Sequence, residues 1–544
     1  MRNIPFKRQL VCLVIGSQLM GCTRSVGAAP QNDDWAPAAP ATRPEPMEPS
    51  RHAPRPGHTQ LPHFGPLAVR PNFQAPSATT CGRSVRTREV PGREGQAQGA
   101  APGTVLWATA GSLSAERESK VGKVVTERRR DTAIPEEVPP AFAAAPAMAA
   151  PPAFAPPAMS APAPALADST ARTLNLAGAA PKAAAPNLEL FPRQPTPESP
   201  AVTAGVIDDN ANFAEYLAFR QRTQVAHNPR DIAERYLLQV RDGAGRSVSD
   251  AEVRVQSPHG QAMWARTDAG GQVWVSPNAF DTRRANTYQI SVRKPGRWGM
   301  TQATAFLQRG QKSAIDVTLD AAPQQRAQLD LVFLIDATGS MGDEIDKLKT
   351  TLRTIASEVA NLPAKPELCF GLVAYRDKGD DYLIRSHDFT NDLSAFQGVL
   401  NQLQAGGGGD YPEAMNEALH DTVHSLSWRG NGTTRMVFLL ADAPPHLDYG
   451  GPQYDDSMQA ALGKGIKVFS VGASGLDKQG EYIQRQIAQY TGGKFVFLTY
   501  AQAHNPASGP GRETVHDVQN YSVDSLDRLI VRLVREDLAK LGKI

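Results

Sequence analysis

Three short stretches of this sequence set oxygen-bearing side chains where a cation would need them. Residues 331–345 read LVFLIDATGSMGDEI, an apolar run that ends in Asp336-x-Thr338-x-Ser340. GGGGDYPE at 406–413 puts Asp410 just before a helical pattern, and LLADAPPH at 439–446 puts Asp442 at the end of a second apolar run. Hard oxygen ligands without Cys or clustered His suit Mg²⁺ first, or Mn²⁺ or Ca²⁺, rather than zinc. Hydroxyls coordinate without adding charge, and alternate spacing turns Thr338 and Ser340 to the same side.

Several neighbours carry two readings each. The glycines before Asp410 are not followed by Gly-Lys-Ser/Thr, so a nucleotide loop is not expected; they let the loop reach positive φ and approach the cation. Glu413 is either a carboxylate supporting the ligands or a first-turn acid facing the helix dipole. His446, close to Asp442, is expected at the rim rather than on the metal. Tyr375-Arg376-Asp377 ends another strand pattern and either lines the rim or pairs at the surface. A nucleophilic Cys369 with His420 or His424 has no supporting local motif.

The elements around these residues alternate. QLDLVFLID is an apolar strand, and Ile345, Leu348, Leu352, Ile355, Val359 and Leu362 then recur at helical spacing. ELCFGLVAYR and DYLIRSHDF follow as strands, DLSAFQGVLNQL and PEAMNEALHDTVHSL as helices, the latter opened by Pro412. TTRMVFLLAD, IKVFSVGAS and KFVFLTY are strands separated by helical segments, and VDSLDRLIVRLVREDLAKL closes the chain as a long amphipathic helix. The pattern predicts an α/β, doubly wound, mostly parallel sheet over 326–544, with ligands beyond the carboxyl ends of its strands.

Together the three loops resemble the von Willebrand factor A domain, whose adhesion site uses D-x-S-x-S, a second-loop threonine and a third-loop aspartate. Asp336, Ser340 and Asp442 match that pattern, and Thr338 keeps a hydroxyl where the first serine stands. Asp410 departs from it, occupying the region of the threonine. D-x-T-G-S-M with G-G-G-D-x-P-E is closer to A domains of hemicentin-like and bacterial exported proteins than to those of integrins. The resemblance implies a metal site of Asp336, Thr338, Ser340, Asp410 and Asp442, with Glu413 and His446 in supporting or rim positions. Three carboxylates set about −3 against +2, so the cation would be held tightly and a partner's carboxylate attracted less.

The preceding half is different in kind. Residues 232–322 alternate with a period of two around DGAGR and TDAGG turns, and resemble the carboxypeptidase regulatory-like family, a small all-β, Ig-like sandwich. Trp264, Trp274 and Trp298 are expected to pack there rather than to form a carbohydrate platform. VIDDNANFAEYLAFRQR opens a short helical lead-in over 206–231, capped by Asn210 or Asn212. Its paired Asp208-Asp209 lacks the later ligands of a calcium loop.

Residues 22–205, rich in Pro and Ala, are expected as a long disordered tether. Residues 81–130 carry ten basic and five acidic side chains, more in keeping with a solvated tail than with a polyanion contact. TVLWATAG at 104–111 is either a lone strand or a recognition segment. Cys369 is expected as a buried free thiol in preference to pairing with Cys81.

Residues 1–21 begin with Arg2, Lys7 and Arg8 and a short apolar run, as in a signal peptide. Leu19-Met20-Gly21-Cys22 resembles the bacterial lipobox, which implies a lipid on Cys22. Thr23 in place of aspartate favours the outer membrane over the inner in the sorting pattern this resembles. The formal net charge of +2 argues against a generally basic nucleic-acid binder.

The expectation is thus an envelope lipoprotein, not an enzyme, whose metal-bearing domain binds a protein or cell-surface ligand. A structural envelope protein with a silent metal site is the alternative. A metal-dependent hydrolase is a third reading, with His446 or Glu413 as its base.

Overall fold

The computed structural model describes residues 61–69, 76–93, 108–109, 202–296, 299–322, 326–430 and 432–541. The expected signal peptide, Cys22 and most of the tether lie outside the described residues. Among the described residues no helix is long and apolar enough to cross a membrane.

The strand Gln328–Asp336 explains the sheet. Every residue from Leu329 onward is buried, so it must be covered on both faces. It runs parallel to Glu367–Tyr375 on one side and to Thr434–Ala441 on the other. Ile466–Gly472 and Phe495–Gln502 continue the parallel set. One face packs on the helices Gly342–Ala360, Leu393–Asn401 and Leu526–Ala539, through Leu348, Phe396 and Ile530 among others. The other packs on Met415–His424, Tyr454–Lys464 and Lys478–Thr491, through Leu419, Met458 and Ile487. This is the expected doubly wound α/β architecture. The chain leaves Gln328–Asp336 toward one neighbour and returns beyond it to the other, so Asp336 ends at the topological switch point.

The edges differ from expectation. Arg86–Val90, placed in the tether by its surroundings, pairs antiparallel with Ile384–Thr390, and Ala108–Thr109 pairs with it in turn. Arg86 meets Asp388, Arg88 meets Asp421 and Glu89 meets Arg385, partners some three hundred residues away. Cys81, just before this strand, forms a disulfide with Cys369, so the free-thiol expectation is overturned. At the opposite edge Thr203–Ile207 inserts between Phe495–Gln502 and Ser522–Ser525. The sheet therefore recruits strands from segments that precede residue 326.

Phe213–Arg222 is helical, and buries Tyr216 and Phe219 against Tyr482. Asn212 stands at its N-cap without a side-chain bond, while Asp208 Oδ1 accepts from the Asn210 and Ala211 amides at 3.0 and 2.9 Å. Asp209 forms a buried pair with Arg485 at 2.7 Å.

Residues 236–318 form a three-stranded and a four-stranded sheet that share one core, including Leu238, Val253, Val273, Tyr288 and Ile290. The two turn motifs work alike. Asp242 Oδ1 accepts from the amides of Ala244 and Arg246, and Asp268 Oδ1 from those of Gly270 and Gln272. Trp264 is buried there, while Trp274 stacks under the Arg235 guanidinium at 3.9 Å. This core is tied to the large sheet by Asp250–Arg435 at 2.9 Å and Asp268–Lys467 at 3.0 Å.

Candidate metal centre

The first loop is built by hydrogen bonds that start at its aspartate. Asp336 Oδ1 accepts from the Thr338 amide at 3.0 Å and from Thr338 Oγ1 at 2.7 Å. Thr338 Oγ1 also lies 3.1 Å from Ser340 Oγ, so both hydroxyls face one side, with Ser340 beside Asp442. Ser340 is followed directly by the helix Gly342–Ala360.

The glycine loop docks onto the first loop through its backbone. Gly339 N–H donates to Gly407 O at 3.0 Å, and Gly406 N–H to Ala337 O at 3.0 Å. Gly407 and Gly408 have φ of +77° and +71°. A Cβ on Gly408 would sit 2.8 Å from both Thr338 Cβ and Glu413 Oε1, so this approach requires glycine. Asp380 fastens the loop, its Oδ2 accepting from the Gly408 amide at 2.9 Å and the Asp377 amide at 3.1 Å.

Beyond the glycines the chain does not enter the helix at Pro412. The Glu413 N–H donates to Pro444 O at 3.1 Å, and the helix begins at Met415. That cross-loop bond holds Glu413 beside the Asp442 loop. Glu413 is 4 % exposed, and its carboxyl is pushed up to about 9 by burial, then by Asp336, Asp377 and Asp442. Asp336 and Asp442 are likewise raised, by burial first and, at Asp336, by the charge of Asp442.

These groups share a deficit. Asp336 Oδ2, Asp442 Oδ1 and Glu413 Oε2 are buried without a hydrogen-bond partner. The Tyr375 hydroxyl is near enough to feel the charge of Asp336 but makes no well-formed hydrogen bond. Buried carboxylate oxygens without donors are costly. A divalent cation would satisfy them and cancel the repulsion, so the residues present fit such an ion.

Asp410 has its nearest metal-ligating neighbours elsewhere among the described residues. Its carboxylate, exposed, gathers instead with Asp377 and the buried His446. In the sequence Asp377 is a strand-end residue with two readings, and Asp380 carries no signal of its own. Position alone does not reveal either, since their partners come from other loops.

Beside Ser340 a cavity of about 350 Å³ opens, lined by Glu344, Leu348, Ser474, Leu498 and Tyr500. Glu344 accepts from the hydroxyls of Ser474 and Tyr500. Burial nonetheless raises its pKa, and its Oε2 has no partner.

Residues 330–499 match the family described as von Willebrand factor A domain, and the chain carries such a domain. Among its relatives is the alpha-protein kinase vwkA of Dictyostelium discoideum, 30 % identical over 144 residues, which are 26 % of this chain and 22 % of that protein. Another is von Willebrand factor A domain-containing protein 7 of Mus musculus, 33 % identical over 115 residues, 21 % of this chain and 12 % of that protein. The chain thus spans less than a quarter of the curated relatives it matches. Among solved structures, the pilus adhesin SpaC of Lactobacillus rhamnosus GG in its open conformation aligns with a TM-score of 0.25 and 14 % identity, over 49 % of this chain and 36 % of that one. A likeness at that level carries no functional argument.

Proposed function

We propose that this chain is an exported binding protein, anchored by a lipid on Cys22, whose A domain holds a divalent cation and uses it to engage a protein or cell-surface ligand. The observation that carries the reading is the convergence of three unpartnered, buried carboxylate oxygens, on Asp336, Asp442 and Glu413, around two hydroxyls. Asp336, Thr338, Ser340 and Asp442 would hold the ion, with Glu413 beside them. Mg²⁺ is the first candidate, since all five side chains offer oxygen. Bound there, the cation would supply a coordination position for an oxygen of the partner.

The chain's own residues do the remaining work. Thr338 and Ser340 orient the Asp336 and Asp442 carboxylates, and Gly407 and Gly408 bring the second loop against them. The surplus of carboxylates over hydroxyls favours a neutral partner oxygen, such as a hydroxyl or carbonyl, over a carboxylate. A binding role agrees with the family, whose domains often mediate protein–protein interactions and are typically not enzymes. The outer membrane is the proposed location, on the strength of the lipobox resemblance and Thr23.

The test is thermal unfolding of the full chain in EDTA, Mg²⁺, Mn²⁺ or Ca²⁺, beside Asp336→Ala. A ligand bound only by the folded state raises the midpoint by mass action. A rise with one metal, lost in Asp336→Ala, supports the centre and directs a search for metal-dependent partners. No rise in any metal overturns it.

A further inference from the structure

Among the described residues, Asp377, Asp410 and His446 each bring one ligand atom within 4.8 Å of the others. Two loops divide their side chains between this cluster and the Asp336 centre. The glycine loop sends Glu413 toward Asp336 and Asp410 toward Asp377. The loop after Thr434–Ala441 sends Asp442 to the first and, four residues on, His446 to the second. Asp377 follows the strand Glu367–Tyr375, directly beside the strand that ends in Asp336.

The histidine is held between two carboxylates, an arrangement that either a proton on the ring or a metal cation completes. Its backbone oxygen accepts from Asn416 Nδ2 at 2.5 Å, which fixes the loop. Nδ1 lies 3.3 Å from Asp448 Oδ1, and Nε2 lies 3.3 Å from Asp377 Oδ1. A neutral imidazole donates through one nitrogen only. In the neutral ring with Nδ1–H turned to Asp448, Nε2 presents a lone pair to the Asp377 carboxylate, repulsive when empty and suited to a metal when filled. A carboxylate behind the far nitrogen is the usual support of a metal-binding histidine.

We propose that Asp377, Asp410 and His446 form a second cation site, adjacent to the Asp336 centre and selective for a first-row transition-metal ion over Mg²⁺. The imidazole sets the preference, because nitrogen ligands favour transition ions while Mg²⁺ keeps to oxygen. The site stands on its own residues and does not require the first centre to be filled.

Mn²⁺ is the probe, added to the full chain in excess Mg²⁺ and followed by equilibrium dialysis and pulsed paramagnetic resonance. One Mn²⁺ is expected to remain bound against Mg²⁺ and to show coupling to an imidazole nitrogen. His446→Asn should remove the coupling and weaken this binding about tenfold or more, the scale seen when metal-site ligand shells are altered. Asp336→Ala should keep it. Absence of nitrogen coupling in the unaltered protein, or its persistence in His446→Asn, overturns the site. Asp410→Asn changes an exposed residue; undiminished Mn²⁺ affinity in that variant overturns the site as well. Failure of the Asp336 centre would show differently, as loss of the Mg²⁺-dependent stabilisation alone.

Discussion

Thr338 Oγ1 donates to one oxygen of Asp336 at 2.7 Å, while the other oxygen of that carboxylate is buried without any donor. The hydroxyl thereby fixes the orientation of the carboxylate and leaves its second oxygen for a cation. Thr338→Ser should keep both the bond and the Mg²⁺-dependent rise in unfolding temperature. Thr338→Val should remove about 1–3 kcal/mol through the lost buried bond and weaken the metal response. Equal metal responses in the two variants, measured by calorimetry, would show that the hydroxyl does not matter.

Rising pH should move the metal-free stability and the metal increment in opposite directions. In the folded chain without metal, Glu413 is raised to about 9, and Asp336 and Asp442 are raised too. Folding then favours their protonated forms. That contribution is complete below the ordinary carboxyl range and is lost as pH rises through the folded values. In EDTA the unfolding temperature should fall between about pH 5 and about pH 9 from these groups, whereas the increment given by Mg²⁺ should grow over the same window. A metal increment that shrinks with rising pH would contradict carboxylate ligation.

Glu413 and Asp410 should be separable. Glu413→Gln removes a carboxylate beside Asp336 and should reduce Mg²⁺ affinity in titration calorimetry. Asp410→Thr, which restores the residue type of the family pattern, should change the Mg²⁺ response less, because Asp410 gathers with Asp377 and His446. The reverse ranking would return Asp410 to the first centre.

The disulfide between Cys81 and Cys369 ties the edge strand Arg86–Val90 to the large sheet across a separation of 288 residues. Cys81→Ser should lower stability by about 2–4 kcal/mol and open the segment near residue 81 to protease. An unchanged digestion pattern and midpoint would mean that the pairing of Arg86–Val90 holds without it.

Asp250 joins the smaller core to the A domain. Its carboxylate meets Arg435 at 2.9 Å and Arg266 at 3.3 Å, and accepts from the Gly432 amide at 2.8 Å, all buried. Arg435 and Arg266 hold its pKa low against burial. Asp250→Asn tolerates the backbone φ of 54° but leaves the buried Arg435 without its carboxylate and Arg266 with only Glu252 of its two, and should cost about 3–5 kcal/mol in denaturant unfolding. A loss under about 1 kcal/mol would point to solvent entering the junction.

The parallel heart of the sheet was legible because continuous apolar runs such as LVFLI are buried by necessity, and helical spacing from Ile345 to Leu362 leaves one face to cover them. The grouping of Asp336, Thr338 and Ser340 was legible too, since they are neighbours in the chain. Glycines at 407 and 408 announced a close approach, and the positive φ values supply it.

Tertiary structure alone decided the rest. A Pro- and Arg-rich surrounding hid the strand Arg86–Val90, whose acidic partners Asp388 and Asp421 lie far along the chain. The pairing of Cys81 with Cys369 depends on that strand's position at the sheet edge. Asp410 and Glu413 stand three residues apart and read alike in sequence, yet the hydrogen bond from the Glu413 N–H to Pro444 O holds one near Asp336 and leaves the other with Asp377 and His446. Local spacing fixes which side chains a segment can offer. The docking of one loop on another fixes which charge each of them meets, and this is a property of the folded chain.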